Sequence, residues 1–138
     1  MGFVADASVV GAWLLPDETN VLAERALARL AGEDALAPDL LWHEIRNLLL
    51  TAARRQRIAG EDIVALLYRL ADTPLKNAGP GDGVAIVRLA LRHQLSAYDA
   101  AYLALAVRQN LPLATTDARL VAAARAEGVP LLEDLDPS

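Results

Sequence analysis

The stretch Phe3-Val4-Ala5-Asp6-Ala7-Ser8-Val9-Val10-Gly11-Ala12-Trp13-Leu14-Leu15 sets the terms for the rest of the chain. Its first three residues form an apolar run, too short for a helix and suited to a buried strand, and the run ends on an acid. From Ser8 the apolar positions fit a short helix, closed by Pro16-Asp17. A strand therefore hands over to a helix at Asp6.

The same alternation recurs downstream. Thr19 or Asn20 caps a helix to about Leu30, with Gly32 as its stop, and Ala35-Leu36-Ala37 reads as a second strand. Pro38 and Asp39 open a helix whose apolar positions Leu41, Ile45, Leu48, Leu49 and Ala52 form one stripe, ending near Ile58 before Gly60. An amphipathic helix over 61–71 precedes a weak strand over 74–77 and a turn at Gly79-Pro80-Gly81. Asp82 caps a helix to about His93, and Ser96 caps another to about Gln109. A strand over 111–115, a helix over 117–126 stopped by Gly128, and a last strand over 129–132 complete the pattern before an acidic tail. Short apolar strands between helices predict βαβ units and a parallel sheet covered on both faces.

Composition narrows the function. The 138 residues suit one domain; 54% are hydrophobic but only 4% aromatic, so Ala, Leu and Val do most of the packing. A net charge of −5 argues against a protein held on nucleic acid mainly by neutralising many phosphates, but leaves room for one that meets nucleic acid through a bound metal and a few local cations. Lys76 is the only lysine among 13 basic residues, and arginine is the better bidentate partner for phosphate. There is no cysteine, hence no disulfide or thiolate metal site. The start has no secretory pattern, and no apolar run approaches the roughly 18–20 residues that span a bilayer. A soluble, cytoplasmic protein is expected, with no membrane partner.

Four acids stand at handovers or near helix starts: Asp6, Glu44, Asp99 and Asp117. Singly, each has a structural explanation. Asp6 and Asp117 suit helix starts, Ser96-Ala97-Tyr98-Asp99 fits a capping box, and Glu44 lies within two turns of its helix start. Together they suggest more, because ligand sites in open α/β sheets form outside the carboxyl ends of the strands. Carboxylates gathered there repel one another, and a hard dication relieves the repulsion. With no Cys and two His, the donors favour Mg²⁺ or Mn²⁺ over zinc. Such a site suits in-line phosphodiester displacement with one or two ions.

Four segments, in this order and spacing, resemble the PIN-domain ribonucleases, most closely VapC-type toxins of type II toxin–antitoxin pairs. They are Val4-Ala5-Asp6-Ala7-Ser8-Val9-Val10; Pro38 followed by Glu44, Asn47 and Leu48; Tyr98-Asp99-Ala100-Ala101-Tyr102-Leu103-Ala104-Leu105-Ala106; and Leu113-Ala114-Thr115-Thr116-Asp117-Ala118-Arg119-Leu120. The resemblance implies a single PIN-like nuclease domain over 1–138. Its fold would be a three-layer α/β/α with a short, mostly parallel central sheet of four to five strands flanked by helices. It implies a Mg²⁺- or Mn²⁺-dependent endoribonuclease that acts as a growth-inhibiting toxin. Asp6 and Asp99 would be direct metal ligands, Glu44 would complete the site and Asp117 would assist, all four counting as catalytic. Ser8, Asn47 and Thr115 match the family's assisting polar positions. Cleavage with water as nucleophile would leave a 5′-phosphate and a 3′-hydroxyl. The implied partners are an RNA substrate, a VapB-like antitoxin and a second copy in a homodimer.

The competing readings are weaker. An RNA-processing or RNA-binding PIN domain without a toxin role differs only in biology. A metal-bearing protein-binding module would begin like Asp6-Ala7-Ser8, but Val10 stands where a second serine belongs. An aspartyl-phosphate enzyme would want a second acid where Ser8 stands. His43 points about 100° from Glu44 on a helix, and His93 suits a helix C-terminus. Arg54, Arg55 and Arg57 end a helix, where cations favour the dipole, and are read as a solvated face. Gly79, Gly81 and Gly83 lack the Lys-Ser/Thr of a phosphate loop. Trp13-Leu14-Leu15 is read as core first and as a groove for a partner helix second.

Overall fold

The computed structural model describes residues 2–135. Its strands are β1 (Gly2–Ala5), β2 (Asp34–Ala37), β3 (Leu75–Asn77) and β4 (Leu113–Ala114). They form one parallel sheet in the order β3-β2-β1-β4. All four residues of β1 are buried, so helices cover both faces of the sheet at its centre. The helices are α1 (Ala7–Leu14), α2 (Val21–Arg29), α3 (Leu40–Arg54), α4 (Asp62–Asp72), α5 (Gly83–His93), α6 (Ala97–Gln109) and α7 (Ala118–Ala126). They pack in two groups: α1 with α2, α3 and α4, and α6 with α5 and α7.

Caps delimit most helices as expected. Asp6, Asn20, Asp82, Ser96 and Asp117 each accept a backbone N–H of the helix they open. Helix ends were harder to read. α3 stops at Arg54, not near Ile58, because Gln56 turns left-handed (φ 62°) and Arg57 N–H donates to Ala52 O. The expected strand over 129–132 is also absent. Leu131 makes one parallel bridge to Leu113, and the chain then tightens into a 3₁₀ turn, Leu132–Asp134. Pro130 has no N–H for a ladder, and only its carbonyl is used, by Leu113 N–H at 2.9 Å.

Packing brings the site's helices into place. Gly11 of α1 faces Leu48 of α3, where a Cβ would lie 2.8 Å from Leu48 Cδ1. The two helices therefore cross closely, and Glu44, one turn before Leu48, is carried towards the start of α1. Trp13, Leu14 and Leu15 are all buried, and Trp13 Nε1 donates to Ala23 O at 2.7 Å, so core packing accounts for most of this stretch. Arg57 is also structural: it forks onto Asp17 with two bonds of 2.9 Å and reaches Glu18 at 3.0 Å, tying the α1–α2 loop to the end of α3. Arg57 holds the Asp17 carboxyl below its usual range.

α6 runs through the core, with Ala100, Tyr102, Leu103 and Ala106 buried. Leu103 is fully buried. Leu103→Ala is expected to lower unfolding free energy by about 2–5 kcal/mol. In urea titration this should appear as a fall in midpoint with little change in slope.

Candidate active site

β1 ends at Ala5 and α1 begins at Ala7, so Asp6 stands at the carboxyl end of a central strand. Its side chain is buried, a position that an ionised carboxylate holds only with partners. Ser8 Oγ donates to Oδ1 at 2.6 Å, Val9 N–H donates to Oδ1 at 3.2 Å, and Thr115 Oγ1 donates to Oδ2. Both hydroxyls are oriented in turn, since Thr116 N–H donates to Ser8 Oγ at 3.1 Å and Asp117 N–H to Thr115 Oγ1 at 3.0 Å. Two backbone amides of the β4–α7 turn thus fix Asp6 through two hydroxyls, a connected network across 109 residues of sequence.

Burial nevertheless dominates, and it pushes the Asp6 carboxyl above its usual range; the hydrogen bonds pull it down and the Asp117 charge adds to the rise. Glu44 is half-buried on α3 and is raised by burial, opposed by a hydrogen bond from Tyr102, with the charges of Asp99 and Asp6 adding to it. Asp99, in the first turn of α6, is raised by burial and then by Asp117; the Ser96 hydroxyl and the charge of Arg119 oppose this. Glu44 therefore feels Asp99 and Asp6, and Asp6 and Asp99 each feel Asp117. Asp117 caps α7, accepting from Arg119 N–H at 2.9 Å and Leu120 N–H at 3.2 Å.

Two expectations need adjusting. Ser96 Oγ accepts from Asp99 N–H at 3.1 Å, as a capping box requires, but among the described residues no bond returns from the Ser96 backbone N–H to the Asp99 carboxyl. Asn47 is exposed and stands outside the network that holds Asp6, although it lies one turn beyond Glu44. Ser8 and Thr115 are both within that network.

Tyr102 carried no individual role in the sequence reading, yet it is almost fully buried and its hydroxyl donates to Glu44 Oε1 at 2.6 Å. Burial first, then the bond to Glu44 and the charges of the surrounding acids, hold the phenol well above its usual range, so it stays a donor. A polar-tipped ring three residues after Asp99, inside an Ala/Leu run, was the available signal. Tyr102→Phe leaves Glu44 half-buried without its donor. Activity is expected to fall about tenfold to a hundredfold, the scale for losing the partner of a metal-ligating group, and steady-state cleavage kinetics check it.

The donor set suits a hard dication: oxygen only, mutually repelling, and partly dehydrated. No three acidic or histidine side chains among the described residues stand close enough to enclose an ion as placed. Magnesium does not need such a cage, since it keeps several waters and takes one or two carboxylates plus substrate phosphate. The residues fit that mode of binding.

A model of the PIN domain matches residues 3–126. The chain belongs to the PIN-domain family. All four acids fall within the matched span. The PIN domain here is 32% identical over 123 residues to Ribonuclease VapC3 of Pyrobaculum aerophilum, covering 87% of this chain and 92% of that one. Its fold is similar to that of PAE2754 from the same organism, with a TM-score of 0.72, 22% identity, and coverage of 96% and 85% of the two chains. It is also similar to VapC20 of Mycobacterium tuberculosis, described as a sarcin–ricin loop cleaving toxin, with a TM-score of 0.62, 16% identity, and coverage of 88% and 94%. At these identities the two structures speak for the PIN fold.

Proposed function

We propose that the chain is a divalent-metal-dependent endoribonuclease of the VapC type, acting as a growth-inhibiting toxin. The observation that carries this is Asp6: a buried carboxylate at the end of a central strand, fixed by two hydroxyls and within reach of the charges of Asp117 and Glu44. Membership of the PIN family, and the name of the relative Ribonuclease VapC3, support RNA as the substrate. Asp6 and Asp99 would hold Mg²⁺ or Mn²⁺, with Glu44 completing the site and Asp117 assisting. When bound, the ion supplies a Lewis acid that acidifies water and offsets charge on phosphate oxygens.

The chain's own residues supply orientation. Ser8 and Thr115 set the two oxygens of Asp6, and Tyr102 sets Glu44. Water is the nucleophile, giving a 5′-phosphate and a 3′-hydroxyl. His43 is exposed and pairs with Arg46 at 3.2 Å, which leaves it no part in the site.

A VapB-like antitoxin and a second copy in a homodimer are the proposed protein partners. Leu14, Leu66 and Ile58 line a surface groove of about 260 Å³ between α1 and α4, and this groove suits an apolar segment of the antitoxin. No helix among the described residues is long and apolar enough to cross a membrane.

Inducible expression beside Asp6→Ala and Asp99→Ala, with 5′-end mapping of cellular RNA, tests the function. Growth arrest and new 5′ ends that both variants lack are expected. A harmless wild type with no new ends overturns the reading. A harmless wild type that still cuts RNA points to RNA processing in place of a toxin role.

A further inference from the structure

A groove of about 410 Å³ lies between the end of α5 and α7, lined by His93, Gln94, Arg119, Ala122 and Ala123. The chain dictates its position. Gln94 closes α5 in the left-handed conformation (φ 56°), and two residues later Ser96 caps α6, whose first turn carries Asp99. On the other wall, Arg119 follows two residues after Asp117, the cap of α7. Both walls thus begin within a few residues of Ser96 and Asp117, the caps of α6 and α7.

Most cations of this chain are committed elsewhere. Arg29, Arg57, Lys76, Arg92 and Arg125 are in ion pairs, and Arg25 and Arg69 donate to backbone carbonyls. Arg119 is exposed, and its guanidinium forms no ion pair among the described residues, yet its charge is felt at Asp99. Glu127, the acid that touches His93, is taken by His93 at 2.6 Å and Arg92 at 2.8 Å, and both hold its carboxyl below the usual range. The groove therefore offers an incoming ligand one uncommitted guanidinium. A planar fork set next to carboxylates that it does not neutralise is suited to a phosphate arriving with them.

We infer that Arg119 binds a backbone phosphate adjacent to the scissile one, and that the RNA strand leaves the carboxylates along the groove between α5 and α7. The inference rests on the nuclease reading above. It makes Arg119 a substrate-binding residue, with an effect on KM and little on kcat.

The test is equilibrium binding of a labelled single-stranded RNA of mixed sequence in Ca²⁺ buffer across a salt series, with cleavage kinetics in Mg²⁺ alongside. Arg119→Ala should weaken binding about tenfold, the scale of one charge-assisted contact. It should also make the slope of log affinity against log salt shallower by about 0.7, the value for one single-strand phosphate. Arg119→Lys should recover the slope, because the charge is kept, but not all of the affinity. Arg108→Ala makes the same change in net charge about 14 Å further along the α6 axis from Asp99, at 1.5 Å per residue, and should leave the slope unchanged.

If the wild type binds and cuts RNA while Arg119→Ala matches it in affinity and slope, the inference is wrong and the nuclease reading stands. The same holds if Arg108→Ala lowers the slope equally, or if Arg119→Lys recovers none of it. A wild type that neither binds nor cuts RNA overturns both.

Discussion

Asp6→Asn is expected to lose more than about 99% of cleavage, beyond the tenfold to hundredfold that follows loss of a ligand's partner, while melting within about 5 °C of the wild type in EDTA. The two halves of this result have separate causes. The asparagine keeps the shape and the capping oxygen that accepts Val9 N–H, and Asn caps helices as well as Asp does. It cannot satisfy both hydroxyls as the carboxylate does, which costs about 1 kcal/mol.

Against that, burial raises the Asp6 carboxyl, so in the metal-free fold the charge is a burden and its removal offsets the lost hydrogen bond. The sign follows from linkage: a folded-state carboxyl raised above its unfolded value destabilises the fold at neutral pH. If Asp6 were only a cap, its replacement would leave activity untouched. Mg²⁺ should raise the melting temperature of the wild type and not of the variant, since a ligand stabilises only the form that binds it.

Asp99→Asn should give the second large loss, again more than about a hundredfold and again with the fold intact. The cap of α6 survives, because Ser96 Oγ receives a backbone N–H that the substitution does not touch. What is lost is a first-turn charge worth about 0.3–1 kcal/mol to the helix dipole. If Asp6 and Asp99 act on one ion, their effects do not add. The double variant should be no slower than the worse single one, as for other residues that act as a unit. Rate losses that multiply would place the two carboxylates in separate roles. Kinetics on the two single variants and the double variant under one set of conditions decide between these.

Much of the sheet and of the acid edge was legible because strand–helix handovers carry strong local signals. Phe3-Val4-Ala5 before Asp6, Leu113-Ala114 before the Thr-Thr-Asp turn, and cap residues at Asn20, Asp82, Ser96 and Asp117 all behave as their chemistry dictates. Helix C-termini were less legible. Gln56, Gln94 and Asn110 all adopt positive φ after α3, α5 and α6, where a glycine would have announced the stop; Gly128 did announce it after α7. The expected ends of α5 and α6 match the structure, and that of α3 does not.

Tertiary pairings were not legible at all. The bond from Tyr102 to Glu44 spans 58 residues, and that from Thr115 to Asp6 spans 109. The family resemblance marked Ser8, Thr115 and Asn47 alike as assisting positions. The structure brings the two hydroxyls to Asp6 and leaves Asn47 exposed, because an i,i+3 spacing fixes which flank a residue shares and not whether that flank is covered.

On the proposed reading, the carboxylates along the end of the sheet make a metal-dependent, water-using ribonuclease site. Cleavage of end-labelled RNA by the purified protein, with and without EDTA, followed by chemical identification of the new ends, tests it most directly. The cuts are expected to need Mg²⁺ or Mn²⁺, to carry a 5′-phosphate and a 3′-hydroxyl, and to vanish in Asp6→Asn. Cuts that persist in EDTA and end in a 2′,3′-cyclic phosphate would contradict that reading.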